Sequence, residues 1–338
     1  MEIDPARALG WRLGVQGLEP SSVRPVGEVV DRMFALRGWP LDRAELAVAV
    51  RQPTTDDDVV QRALDSGELI RSYAFRGGSY VFTHQLASIV LTVRTATGMW
   101  RSRRWQDQGG FVIDDWEPLR DAVREMLSDG PCGREEISAE LAKSGGLRDL
   151  APAALGAGAD SLYKPLHWWG DICFGPTRDG RATFRRLDDD PRWPGPPDVD
   201  QAGRDALRAF IAGYGPVTEA NLQYCFTEGL SVPRKRVRGW LDDLGDRIVG
   251  TGSGDTAAWV RADDLEQIRS SEPSAATHLL PGHDPWLMVP GTADRRLIDP
   301  AHRAAASRGA NLVIRGGVVV GTWRGHRDSA EIDWFDAA

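Results

Sequence analysis

One repeated pattern constrains this chain more than anything else in it. Three helical stretches followed by a two-stranded hairpin recur three times, and each copy is too short to bury a large core alone. The clearest copy runs from Trp116 to Leu187. EPLRDAVREMLSDGP places Leu119, Val123, Met126 and Leu127 at helical spacing, and Gly130-Pro131 stops it. REEISAELAKSGG reads as a second helix ended by glycines, and a third is predicted around residues 155–169. DICFGPTRDGRATFRRL closes the unit as strand, turn at Arg178-Asp179-Gly180, and strand.

The next copy starts at Gln201. RDALRAFIAGYGP ends at Gly215-Pro216, Thr218 is suited to cap EANLQYCF, and Ser231 to cap PRKRVRGWLDDLG with Pro233 in its first turn. RIVGTGSGDTAAWV is a hairpin whose glycines make a turn; no Lys-Ser/Thr follows them, so it is not a phosphate loop. A looser copy lies at the N-terminus: GEVVDRMFAL, DRAELAVAV and TDDDVVQRALDSG as helices, then ELIRSYAFRGGSYVFT as a hairpin turning at Gly77-Gly78. Helix, helix, helix and a two-stranded wing is the order of a winged helix-turn-helix. The Pro-rich acidic run DDDPRWPGPPDVD (188–200) marks a boundary. Beyond about residue 274, short β-prone runs (THLLPGHDPWLMVPG, ANLVIRGG, VVVGTWRG, EIDWF) replace the pattern. The expected architecture is α+β: three tandem winged helices and a β-rich, barrel-like C-terminal domain. Its expected segments are 1–113, 114–190, 198–272 and 273–338.

The 338 residues suit two to four domains, and 41% hydrophobic with 27% charged residues is globular composition. No run approaches the roughly 20 apolar residues of a membrane span, and MEIDPARALG lacks a signal-peptide pattern. Cys132, Cys173 and Cys225 form neither a CxxC pair nor a disulfide framework, which points to a reducing cytoplasm. The six histidines show no metal-ligand spacing, so no metal and no cofactor are expected. Net charge is −8, which disfavours indiscriminate coating of nucleic acid but not local binding. The basic residues are nearly all arginine, as GC-rich genomes produce.

DNA is the expected partner by docking geometry, because the third helix of such a unit enters the major groove and the wing reaches the backbone. Candidate contacts are Arg76, the cluster Arg101, Arg103 and Arg104 beside Trp100 and Trp105, the wing residues Arg178, Arg181 and Arg185 (with Arg186), and Arg234, Lys235, Arg236 and Arg238. Solvated faces paired with Asp and Glu are the plain alternative for each cluster. Trp168, Trp169 and Trp286, with Trp323, could instead line an apolar pocket near His283-Asp284, a pair equally suited to holding a turn.

ALGWRLGVQGL, IRSYAFRGGSYVF, LYKPLHWWGDICFGPTRDGRATF and HLLPGHDPWLMVPGTADRRLIDP…ANLVIRGGVVVGTW, in this order over essentially the whole chain, resemble the winged-helix proteins of the AlkZ/YcaQ family. The resemblance implies three winged helices and a β-rich domain clamped on duplex DNA. It also implies excision of bulky alkylated purines and unhooking of interstrand crosslinks, serving self-resistance in some antibiotic producers. The family's catalytic signature is Gln-X-Gln or Gln-X-Asp after the first helix of the first unit. Alignment places Arg37-Gly38-Trp39 there. Arginine has donors and no acceptor, and tryptophan one donor, so neither orients or deprotonates water as the signature does. Three readings follow. The register is displaced and Asp31, Asp42 or Glu45 takes the role; or another group is catalytic; or the fold and DNA affinity persist without excision. Gln16 lies some 20 residues too early and reads as structural. Outside this family, the alternatives are a dimeric transcriptional regulator and a small-molecule enzyme on the same scaffold. A monomer is expected, since three non-identical units already share one chain.

Overall fold

In the computed structural model, which describes residues 2–19, 22–54, 57–156 and 158–335, the recurring block is visible three times. Helix α1 (Pro5–Val15) precedes the first block, which runs α2 (Val26–Met33), β1 (Leu36–Arg37), α3 (Leu41–Ala49), α4 (Val59–Asp65), β2 (Ile70–Tyr73) and β3 (Ser79–Phe82). Helices α5 (His84–Thr95) and α6 (Arg103–Gly109) lead on to the second block. That block is α7 (Trp116–Met126), β4 (Cys132–Gly133), α8 (Arg134–Leu141), a short α9 (Ala151–Leu155), α10 (Ala159–Trp168), β5 (Ile172–Phe174) and β6 (Thr183–Arg186). The third is α11 (Val199–Tyr214), β7 (Val217–Thr218), α12 (Glu219–Leu222) with a π-helical continuation through Gly229, α13 (Arg234–Asp243), β8 (Ile248–Thr251) and β9 (Ala258–Arg261). The chain closes with α14 (Leu265–Ser270), β10 (Thr277–Leu280), α15 (Pro285–Met288), α16 (Arg303–Ser307), β11 (Asn311–Arg315), β12 (Val318–Arg324) and β13 (Glu331–Trp334).

Each block contains one strand that the sequence pattern does not reveal. β1, β4 and β7 are two residues long, too short for any periodicity, and each pairs antiparallel with the last strand of its own block. Every hairpin thereby becomes a three-stranded sheet, ordered β1-β3-β2, β4-β6-β5 and β7-β9-β8. The first two fuse through the Arg71–Phe174 pairing of β2 with β5 into one six-stranded sheet. The β5–β6 turn follows the Asp-Gly signal, with Asp179 at φ 50° and Gly180 at φ 73°, the two left-handed residues that a tight hairpin turn requires. Thr218 caps α12 by accepting from the Asn221 amide. Ser231 makes no cap: it takes a left-handed φ of 61°, and Pro233 precedes α13.

The blocks share one interior. Phe34 sits in it with a left-handed φ of 62°, its ring 5.9 Å from Phe75, 5.8 Å from Phe210 and 6.2 Å from Phe226. The Arg- and Trp-rich connector is anchored in the same core, Trp100 packing edge-on at 5.1 Å from Trp169, and Trp105 lying 5.6 Å from Trp168. Asp171 ties the second hairpin to its first helix by accepting from Arg120 at 2.7 Å and from Arg124.

The C-terminal segment corrects one expectation. It is an open antiparallel sheet in the order β10-β11-β12-β13, and no closed barrel forms among the described residues. The DPWLM run, expected to be β-prone, folds instead as α15: Asp284 accepts from the Trp286 amide at 2.8 Å and Pro285 fills the first turn. A second core beneath this sheet includes Leu13 and Leu18 from the N-terminal region and Val50 after α3. Across it, Arg51 and Asp284 form a fully buried bidentate pair at 2.9 and 2.7 Å. Arg12, also buried, lies 4.7 Å from the Tyr214 ring and 4.3 Å from that of Trp286, its pKa lowered by burial to about 10. Among the described residues no helix is long and apolar enough to cross a membrane.

Two tests follow from this packing. Truncating either partner of the Arg51–Asp284 pair leaves a buried charge uncompensated, so Arg51→Ala or Asp284→Ala is expected to cost about 3–5 kcal/mol, read from denaturant midpoints. His167 is fully buried, 3.0 Å from the Ser72 hydroxyl, and burial lowers its pKa to about 3. Its folded pKa is below the unfolded value of 6.5, so the unfolded chain binds more protons in that window. Its contribution is present above pH 6.5 and is lost as pH falls towards 3. His167→Gln is expected to flatten that acid-side loss in a pH series of unfolding curves.

Candidate functional site

The stretch after α2 is built by two short constraints. β1 pairs Leu36 with Val81 and Arg37 with Tyr80, and the Gly38 amide donates to the Ser79 carbonyl at 2.8 Å. Strand alternation then sends Leu36 into the core and Arg37 to the surface. Gly38 is backed by Arg71: a Cβ there would meet that side chain at 3.0 Å. Trp39 follows with its indole 67% exposed, a large apolar surface held at a defined position. Arg37 turns back so that Nε donates to the Trp39 carbonyl at 3.0 Å.

Three more arginines gather here from separate elements. Arg76, at the β2–β3 turn with φ 50°, lies 4.0 Å from the Tyr224 ring and donates to the Tyr224 carbonyl at 3.1 Å. Arg71 stacks 4.7 Å from the Phe174 ring. Arg43 donates to Asn311 Oδ1, which also accepts from the Gly282 amide at 2.9 Å. None of Arg37, Arg43, Arg71 and Arg76 joins a carboxylate among the described residues. Two of them, Arg37 and Arg76, line a cavity of about 30 Å³ together with Tyr80, Cys225 and His283 among others. Burial pushes the Tyr80 phenol and the Cys225 thiol up. His283 adopts φ 64°, its Nδ1 is buried without a hydrogen-bond partner among the described residues, and its pKa is lowered by burial and by Arg37 and Arg43.

The three carboxylates considered for a displaced register have local duties. Glu45 accepts from the Val60 and Gln61 amides at 2.9 and 2.7 Å, capping α4. Asp31 accepts from the Thr83 hydroxyl at 2.7 Å, and burial raises its pKa. Asp42 is exposed and accepts from the Arg43 amide at 2.9 Å. Gln16 is buried and donates to the Gly213 carbonyl at 2.9 Å, joining α1 to α11.

The arginine clusters singled out from sequence meet a different fate. Arg178 pairs with Glu136, Arg181 with Glu135 at 2.6 Å and Arg185 with Asp190 at 3.3 Å. Glu219 holds both Arg234 at 3.0 Å and Arg238 at 3.1 Å, and Asp200 holds Arg236 at 2.9 Å. Lys235, Arg101 and Arg104 are exposed and make no ion pair among the described residues, while Arg103 lies 3.7 Å from Asp107. The tryptophans and His283-Asp284 do not form one pocket. Trp168 belongs to the shared core with Trp169 packed against it, Trp286 belongs to the second core, and Asp284 is consumed by Arg51. A cleft of about 900 Å³ between α1, the third block and the 290–297 segment contains none of them. No group of three or more His, Cys, Asp or Glu side chains could hold a metal ion among the described residues.

Sequence reasoning had not included Arg43, Arg71 and Tyr80. The alternation of β2, with Ile70 and Ser72 buried and Arg71 and Tyr73 between them, was the available signal for Arg71. Nothing local points Arg43 towards Asn311, 268 residues away.

Comparison with known proteins agrees over nearly the full length. The DNA glycosylase AlkZ-like family matches residues 30–333. An interstrand DNA cross-link repair glycosylase of Streptomyces sahachiroi is 28% identical over 325 residues, covering 94% of this chain and 86% of that protein. The solved structure of the Streptomyces sahachiroi DNA glycosylase AlkZ superposes with a TM-score of 0.92 at 26% identity, covering 100% of this chain and 92% of that one.

Because Trp39 packs against so little, Trp39→Ala is expected to shift unfolding free energy by no more than about 0.5 kcal/mol. A ligand-affinity loss in that variant, at unchanged denaturant midpoint, identifies Trp39 as a contact residue; a collapsed midpoint shows that it is packed instead.

Proposed function

The chain belongs to the DNA glycosylase AlkZ-like family, and from that premise we propose that it binds duplex DNA carrying a bulky alkylated or crosslinked base. The surface made by Arg37, Trp39, Arg43, Arg71 and Arg76 is where the lesion docks. The observation that carries this reading is the contrast in how arginines are spent. In a chain of net charge −8, these four guanidiniums have no carboxylate partner among the described residues, and Trp39, two residues from Arg37, is largely exposed. Uncompensated cations suit phosphate oxygens, and an exposed indole suits stacking on a displaced base.

The three blocks act as winged helices, the order of their elements and the pairing of each short first strand being what supports that assignment. Arg101, Arg104 and Lys235 contribute phosphate contacts directly. Arg178, Arg181, Arg234, Arg236 and Arg238 do so by exchanging carboxylate for phosphate, which exposed ion pairs permit at small cost. The protein works as a cytoplasmic monomer. Excision, where it occurs, does not take its proton acceptor from the 37–39 tripeptide, since neither Arg37 nor Trp39 offers a side-chain acceptor to water.

The test is the salt dependence of duplex binding, followed by fluorescence anisotropy. Each lost phosphate contact lowers the slope of log K against log salt by about 0.9, so Arg37→Ala/Arg76→Ala is expected to lower it by about 2. Arg178→Ala/Arg181→Ala is expected to change it less. An unchanged slope in the first variant, with the second the larger, moves the binding surface to the wings and overturns this reading.

A further inference from the structure

The cavity beside the tripeptide holds a group that DNA binding alone does not use. We infer that His283 is the general base that takes the proton of a water attacking the C1′ carbon of the bound nucleotide, in place of the acceptor that the 37–39 stretch lacks. This rests on the DNA-binding reading above.

Four observations meet at this residue. The space is adequate: about 30 Å³ exceeds the roughly 10–15 Å³ that one water needs. The imidazole has an unfilled valence, since buried Nδ1 has no hydrogen-bond partner among the described residues, a costly condition unless a ligand or water fills it. The ring is fixed in a strained place. His283 holds a left-handed φ of 64°, a Cβ on Gly309 would lie 2.4 Å from its Nε2, and the next residue is locked by the buried Arg51 pair. Strain of this kind persists only where the surroundings over-determine it, and it clusters at functional sites. Finally, the surroundings disfavour the protonated ring: burial lowers its pKa, and Arg37 from β1 and Arg43 from α3 lower it further. Arg76 from the β2–β3 turn lines the same cavity, where Tyr80 and Cys225 are held in their neutral forms by burial. The one adjacent carboxylate, Asp284, is committed to Arg51.

The chemistry closes on these groups. Water donates one hydrogen bond to the free imidazole nitrogen and accepts one from the Arg37 guanidinium. Its oxygen forms a bond to C1′ as the C1′–N9 bond breaks, and the electron pair of that bond stays on the departing purine. The water proton passes to the imidazole and then to solvent, leaving a hydroxyl on C1′. The residues identified around the cavity include no free carboxylic acid to protonate a leaving base. The arrangement therefore fits a purine that already carries a positive charge, such as an N7-alkylguanine, which departs neutral without receiving a proton.

Single-turnover release of base from a duplex carrying one N7-alkylguanine tests the assignment, with anisotropy binding to the same duplex measured in parallel. Wild type is expected to release the base, with a rate that falls on the acid side as the imidazole protonates. His283→Phe keeps ring size without an acceptor and is expected to lose about 10²–10⁴-fold in rate while binding within a factor of two or three. His283→Asn tolerates the left-handed backbone and offers an acceptor without a titrating group; it is expected to lose the acid limb. Where the Phe variant fails to bind, the pH profile of the Asn variant decides. Undiminished release by His283→Phe, or an acid limb surviving in His283→Asn, overturns the assignment. Wild type that binds the duplex and releases nothing overturns it too, yet leaves the DNA-binding reading standing. Wild type that does neither overturns both.

Discussion

The buried pair of Arg51 and Asp284 is the contact on which the arrangement of the site depends. It joins residues 233 positions apart, at the end of α3 and the start of α15, with both side chains fully enclosed. Two charges in an apolar interior are tolerable only in good geometry with their remaining valences filled. Here Arg51 also donates to the Ala47 carbonyl and Asp284 also caps α15, while Arg51 Nε is left buried without a partner among the described residues. The pair thus fixes the turn that presents His283 to the cavity behind Arg37. Arg43 and Asn311 repeat the linkage closer to the surface.

The distribution of arginine partners follows from this frame. A chain with 49 acidic and 41 basic residues can neutralise most of its arginines internally, and it does so on the wings and on α13. Around Trp39 it does not. The arginines of the first block there meet the Phe174 ring of the second block, the Tyr224 ring of the third and Asn311 of the C-terminal segment instead of carboxylates. An overall negative charge is therefore compatible with a local anion-binding surface, because interaction with a phosphate is governed by charges within a Debye length of it.

How far the sequence could be read depended on the range of the interactions involved. The helices and hairpins were legible because Gly-Pro stops, the Asp-Gly turn and apolar spacing are local signals, and Asp179 and Gly180 took the left-handed geometry such a turn needs. The two-residue strands β1, β4 and β7 were not, since pairing across a block defines them. DPWLM read as β-prone because its four-residue helix rests on the Asp284 cap and Pro285 in the first turn, too short for apolar periodicity to show. At the site, the place of Arg37-Gly38-Trp39 came from resemblance, and its chemical consequence from residue type alone. His283-Asp284 was noticed as a pair that either holds a turn or lines a pocket. The two residues divide those roles, Asp284 holding the turn and His283 lining the cavity.

What the sequence by itself determined is the order of the elements, the family resemblance, and the absence of an acceptor from the side chains at positions 37 and 39. Only the tertiary structure decided which arginines remain free, which tryptophans are core, and that a histidine from the C-terminal segment stands behind the first block. The physical reason is that charge pairing and burial are set by neighbours in space. Glu219 can silence Arg234 and Arg238, and Arg51 can claim Asp284, only once the chain has folded.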